Sequence, residues 1–131
     1  MHRLAKKYKT AVKYLPKPLI SGDKKAKFGI ITVGTTHHAV VEALDTLKDK
    51  NHISVKYLRV LAYPFHEDIK TFVNECDKVL VVEQNRDGQL MGLLKMDLDG
   101  SSAKLVSFAY SDGLPIDPDF ISHKAREVFV S

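Results

Sequence analysis

One cysteine, Cys76, is the only thiol in this 131-residue sequence. A lone cysteine cannot close an intramolecular disulfide, and it cannot supply a cysteine cage for zinc or an iron–sulfur cluster. It suits a reducing compartment, so a cytoplasmic location is the expectation. No apolar run approaches the roughly 18 residues needed to cross a bilayer. The basic N-terminus is not followed by an apolar stretch or a cleavage pattern, so neither a signal peptide nor a membrane partner is expected. Glycine numbers only seven. None of the seven forms a Gly-x-Gly-x-x-Gly fingerprint or a Walker-type Gly-Lys-Ser/Thr, which removes two common nucleotide-binding classes. A Gly-x-Ser-x-Gly nucleophile elbow is missing as well.

What remains is an ordinary core-forming composition, 44% apolar and 27% charged, at a length that fits one domain. Charge is unevenly placed. Residues 1–27 carry nine basic side chains and one acid, Asp23, leaving the rest of the +4 chain mildly acidic. Such an arm can meet RNA, a membrane surface or an acidic partner, or it can be a solvated linker. Only Tyr8 and Tyr14 interleave it, and no nucleic-acid motif accompanies it, so the linker reading is taken and nucleic acid is not an expected partner. Pro16 and Pro18 favour extended backbone, and Ser21-Gly22-Asp23 marks a turn. The arm is therefore assigned to residues 1–27 and the compact domain to residues 28–131.

Strand and helix patterns then alternate. Phe28 to Val33 is a short, β-branched apolar run ended by Gly34. Thr35 and Thr36 offer hydroxyls for a helix N-cap. Val40, Val41, Leu44 and Leu47 predict an amphipathic helix over 37–49, with Asn51 in its C-terminal turn. A second strand is expected from Ile53 to Leu61, broken by Pro64. Ile69, Phe72, Val73 and Cys76 share one face of a second helix. Lys78 to Glu83 reads as a central strand. Leu90 to Leu98 reads as a third helix, and Lys104 to Tyr110 as a fourth strand. A last helix starts with Pro118 in its first turn and turns Phe120, Ile121, Ala125, Val128 and Phe129 inward. The alternation predicts an α/β fold with a mostly parallel sheet covered on both faces.

Ligands of such sheets bind beyond the C-terminal strand ends. Those ends carry Gly34-Thr35-Thr36-His37-His38, Tyr63-Pro64-Phe65-His66-Glu67, Glu83-Gln84-Asn85 and Tyr110 to Gly113. Gly34-Thr35-Thr36 could seat a phosphate, though a turn and cap account for it. Adjacent histidines on a helix point about 100° apart, so His37 and His38 make a poor metal pair. His66 with Glu67 would add ligands only if the loops converged. Cys76 belongs to the apolar helix face and is assigned to the core. Glu83-Gln84-Asn85 is the most informative stretch. A carboxylate and two amides follow a very apolar strand, and Gly88-Gln89 opens the next helix. These groups either brace the loop or meet a neighbouring domain or subunit. A lone glutamate without a partner acid, base or nucleophile is a weak catalytic case.

Val79 to Leu90 closely resembles the "VVEQN-x-x-GQL" signature near the end of the alpha subunit of 2-oxoacid:ferredoxin oxidoreductases. Gly29 to Thr35 is similar to that domain's first strand and Gly-Ser turn, with threonine for serine. Glu42-Ala43-Leu44 matches its first helix. Tyr57 to Leu61 with Pro64-Phe65 resembles its second strand and "PFP" corner, with His66 for the last proline. Leu15-Pro16-Lys17-Pro18 is similar to the preceding linker. The resemblance spans roughly residues 14–129 and implies a transketolase C-terminal-domain-like fold, a three-layer α/β/α sandwich with a mixed, mainly parallel five-stranded sheet. The residue pattern itself displays four strands.

The resemblance further implies a non-catalytic domain within a larger enzyme. That enzyme uses thiamine diphosphate, magnesium and iron–sulfur clusters to decarboxylate a 2-oxoacid, form acyl-coenzyme A and reduce ferredoxin. Its thiamine-binding Gly-Asp-Gly…Asn motif and cluster cysteines have no counterpart in this sequence. The implied partners are the beta and gamma subunits, the thiamine-binding alpha domain and, through the complex, ferredoxin. The expected contact residues are Glu83, Gln84, Asn85, Gly88, Gln89, Pro64 and Phe65, with no catalytic, cofactor-binding or metal-ligating residue. Two alternatives remain. One is the related domain of a transketolase or 2-oxoacid dehydrogenase beta subunit. The other is a free-standing module for a small ligand or nucleic acid.

Overall fold

In the computed structural model, residues 16–85, 87–98, 100, 102–110 and 116–130 are described. Strands β1 (Leu19–Gly22), β2 (Phe28–Val33), β3 (Val55–Val60), β4 (Lys78–Glu83) and β5 (Leu105–Ala109) form one sheet in the order β1-β3-β2-β4-β5. Strands β2 to β5 are parallel, and β1 runs antiparallel along β3. Helices α1 (His37–Asp49), α2 (Glu67–Glu75), α3 (Gln89–Asp97) and α4 (Pro118–Val130) cover the faces.

Strand alternation sends successive side chains to opposite faces. Ile30, Leu80 and Val82 therefore meet Val40, Ala43 and Leu47 of α1 and Ile121, Ala125 and Phe129 of α4. Ile31, Val79 and Val81 meet Ile69, Phe72 and Val73 of α2 and Leu90, Met91 and Leu94 of α3. The expected three-layer α/β/α sandwich is the fold. Val79 to Val82 are wholly buried, as a strand covered on both faces requires. Gly29 in β2 lets Phe72 and Cys76 close onto the backbone; a Cβ there would lie 2.8–2.9 Å from both side chains. Cys76 is buried as expected, and burial pushes its thiol pKa up.

Several expectations are corrected. The compact domain does not begin at residue 28, because Leu19–Gly22 pairs with Lys56–Arg59 and supplies the fifth strand. The basic residues before Pro16, and residues 111–113 of the last strand-end loop, lie outside the described residues. Thr36 precedes α1 but caps nothing with its hydroxyl, since a 3₁₀ turn over Gly34–Thr36 leads straight into the helix. Asn51 does lie in the turn after α1, but the left-handed residue there is His52 (φ 55°), and the Ile53 N–H closes that end on the Leu47 carbonyl. The second strand begins two residues later than expected, at Val55. Phe120 is half exposed rather than inward, and packs at 5.8 Å against the Tyr110 ring.

Candidate contact face at the strand ends

The loop after β4 is built around one carboxylate. Glu83 is completely buried at the end of the strand. Its Oε1 accepts from the Leu90 N–H at 2.7 Å and from Asn85 Nδ2 at 2.7 Å; its Oε2 accepts from the Met91 N–H at 3.0 Å. Asn85 Oδ1 accepts from the Gln89 N–H at 3.2 Å. Three orphan donors in the first turn of α3 are thus met by two side chains seven and four residues upstream. A negative charge there also lies at the favourable end of the helix dipole. Gly88 makes the approach possible, since the residue before α3 is left-handed (φ 61°), where other residues are strained. The residues Glu83, Asn85 and Gly88 of the signature fix α3 to the end of β4.

The seven expected contact residues therefore divide. Glu83 and Phe65 point inward and are buried. Asn85, Gly88 and Pro64 are partly exposed, and Gln84 and Gln89 are exposed on either side of the turn. Gln84 also borders a crevice of about 430 Å³ between the ends of β2 and β4, with Thr35, Thr36, His38, Glu42 and Pro118. This is where the strand order reverses, the usual ligand position in such sheets.

Sequence reasoning missed three residues at this end. Val33, Leu61 and Tyr63 are 39%, 43% and 53% exposed although apolar or aromatic. Val33 pairs with Val60, so Leu61 follows directly beside it on the rim. Tyr63 precedes a cis peptide bond to Pro64 and rests edge-on against Phe65 at 5.1 Å. The signal was present, because each is a large apolar residue just past the last buried position of its strand.

A second cluster sits one strand further out. His37 Nδ1 and the Tyr57 hydroxyl are 2.8 Å apart, with the rings stacked at 5.6 Å. Burial, then the charge of Arg59, then His38 lower the His37 pKa. With its proton on Nε2, the neutral ring accepts a hydrogen bond from the Tyr57 hydroxyl at Nδ1. Burial raises the Tyr57 pKa above its usual value, opposed by Arg59. Arg59 reaches the Gly34 carbonyl at 3.4 Å, and its Nε is buried with no acceptor among the described residues. Because the folded state disfavours protonated His37, it binds fewer protons than the unfolded chain below about pH 6.5. Stability is therefore retained above that pH and lost as pH falls through the lowered native value. Urea unfolding between pH 7.5 and 5 should show this loss in the wild type and a smaller one in His37→Gln. Parallel curves would rule it out.

Among the described residues no group of three His, Cys, Asp or Glu side chains could hold an ion. His38 points into solvent. His66 caps α2 by accepting from the Asp68 N–H at 3.1 Å. Among the described residues no helix is long and apolar enough to cross a membrane.

No protein-family model matches the chain. It is 31% identical over 100 residues to 2-oxoacid:ferredoxin oxidoreductase 2, subunit alpha, of Aeropyrum pernix, covering 72% of this chain and 15% of that one. The solved 2-oxoglutarate:ferredoxin oxidoreductase of Magnetococcus marinus, with 2-oxoglutarate, coenzyme A and succinyl-CoA bound, superposes with a TM-score of 0.82 at 27% identity. That match covers 97% of this chain and 23% of the solved one. A split-gene transketolase, solved as an inactive beta4 tetramer, superposes at 0.69 with 13% identity over 87% of this chain and 41% of its own, which speaks for the fold alone. The chain thus spans less than a quarter of the length of either oxidoreductase chain it matches. It is similar to one part of the 2-oxoacid:ferredoxin oxidoreductase alpha subunit, and its fold is transketolase C-terminal-like.

Proposed function

We propose that this chain is the C-terminal domain of such an alpha subunit and that it serves assembly rather than chemistry. The observation that carries this reading is the rim at the strand ends. Val33, Leu61 and Tyr63 stand exposed beside a loop whose backbone is fixed by Glu83, with Gln84 and Gln89 facing out. Apolar side chains framed by amides are the usual make-up of a contact face. The whole enzyme would oxidatively decarboxylate a 2-oxoacid to acyl-coenzyme A and pass electrons to ferredoxin. Thiamine diphosphate, magnesium and iron–sulfur clusters would sit in its other parts, and the isolated chain would be inactive.

The test is affinity purification of the tagged chain from its native cell, with mass spectrometry. The expected companions are a thiamine-diphosphate beta subunit and the remaining alpha or gamma parts. Recovery of the chain without any of them overturns the proposal.

A further inference from the structure

Lys56 lies in β3 between Val55 and Tyr57 and is 4% exposed. Lysine is almost never buried unless paired, because removing an ammonium from water costs several kcal/mol. Its Nζ lies 2.9 Å from Glu75 Oε2 and 5.4 Å from the centre of the Phe72 ring. The two ends of the ion pair differ sharply. The lysine side chain is 5% exposed and the glutamate 60%. The cation is fixed in the protein, while its counter-ion belongs to the surface and can turn away into water.

Lys56 also faces open space. A cleft of about 410 Å³ lies between β1 and α2, lined by Ile20, Gly22, Lys24, Thr71 and Phe72 besides the ion pair. Its volume is in the range of small-molecule sites. Lys24 brings a second ammonium that has no ion pair among the described residues. Asp68 shares the lining and lies 3.5 Å from His66 Nδ1. Ile20, half exposed on β1, and the Phe72 ring form the apolar walls. Lys56 pairs with Gly22 and Gly29 near the start of β3, at the end of the sheet opposite the assembly rim.

We propose that this cleft binds a small organic carboxylate, whose carboxylate replaces that of Glu75 on Lys56 and also meets Lys24, and whose apolar body rests on Phe72 and Ile20. Glu75 is then a resident competitor. Removing its charge has the opposite effect from the one expected of a purely structural ion pair.

The test is a ¹⁵N NMR titration of the chain with benzoate, using benzyl alcohol as the uncharged control. Saturable shifts are expected at Gly22, Lys56, Phe72 and Glu75 with benzoate and not with benzyl alcohol. Glu75→Gln should tighten benzoate binding several-fold. Lys56→Met should weaken it about tenfold or more, the size of one charge-assisted hydrogen bond. If Lys56→Met fails to fold, Lys24→Met carries the same test, with a loss of a few-fold. Equal binding of benzoate by the wild type and Glu75→Gln overturns the proposal, as does equal binding of benzyl alcohol or shifts confined to other surface lysines. None of these outcomes bears on assembly, since the rim is at the other end.

Discussion

Glu83→Ala should cost about 3–5 kcal/mol in urea unfolding followed by circular dichroism. The substitution strands the N–H groups of Leu90 and Met91 in a buried setting and removes the acceptor of Asn85 Nδ2. Each stranded buried donor costs about 1–3 kcal/mol, and the space left by the side chain adds to it. Against a typical total stability of about 5–15 kcal/mol, that is a large fraction. Glu83→Gln separates hydrogen bonding from shape. The amide fills the same space, but its oxygen satisfies one N–H while its NH₂ group faces the other. A loss of roughly half the alanine effect is expected. If Glu83→Ala cost less than about 1 kcal/mol, surface-like by the standards of single substitutions, the stapling role would be wrong.

The second large effect is expected on association. Leu61→Asp with Tyr63→Asp should weaken binding to the purified remaining subunits by about a hundredfold or more, in the range of contact-face hot spots. Both side chains are largely exposed in the chain by itself. Unfolding of the isolated chain should therefore shift by less than about 1 kcal/mol. Gln84→Ala is the milder companion, with about a tenfold loss. Asn85 is a poor choice for this purpose, because its amide holds both Glu83 and the Gln89 N–H, and its loss would mix stability with contact. Undiminished affinity of the Leu61/Tyr63 double variant would place the contact face elsewhere on the domain.

These two predictions rest on features of different legibility. Helix α1 runs over His37–Asp49 and β4 over Lys78–Glu83, as the periodicity predicts, because each has a continuous buried stripe or run to announce it. Strand β1 has no such stripe. All four of its residues are exposed, and its place is set by the unpaired edge of β3 rather than by its own pattern. Glu83 drew notice as a carboxylate after an apolar strand, but its partners are backbone N–H groups, which a sequence does not distinguish from any others. The resemblance singled out the loop as a whole, whereas the geometry divides it into inward braces and outward amides. Lys56 is one of two cations in β3, with Arg59, and the sequence does not separate it from a solvated lysine. Its significance depends on the exposed Glu75 and on the cleft formed with β1, neither of which lies near it in sequence.

The direction of β1 has a practical consequence. Leu19 lies opposite Arg59, so the chain enters β1 at the end of the sheet where Val33 and Leu61 stand. Helix α4 finishes at the other end, where Phe129 stacks on Phe28 at 4.8 Å. A purification handle joined directly before Pro16 would start beside that rim, whereas one joined directly after Val130 would start at the opposite end of the sheet. The pull-down that tests assembly therefore takes its handle after Val130, at the end of the sheet away from the rim.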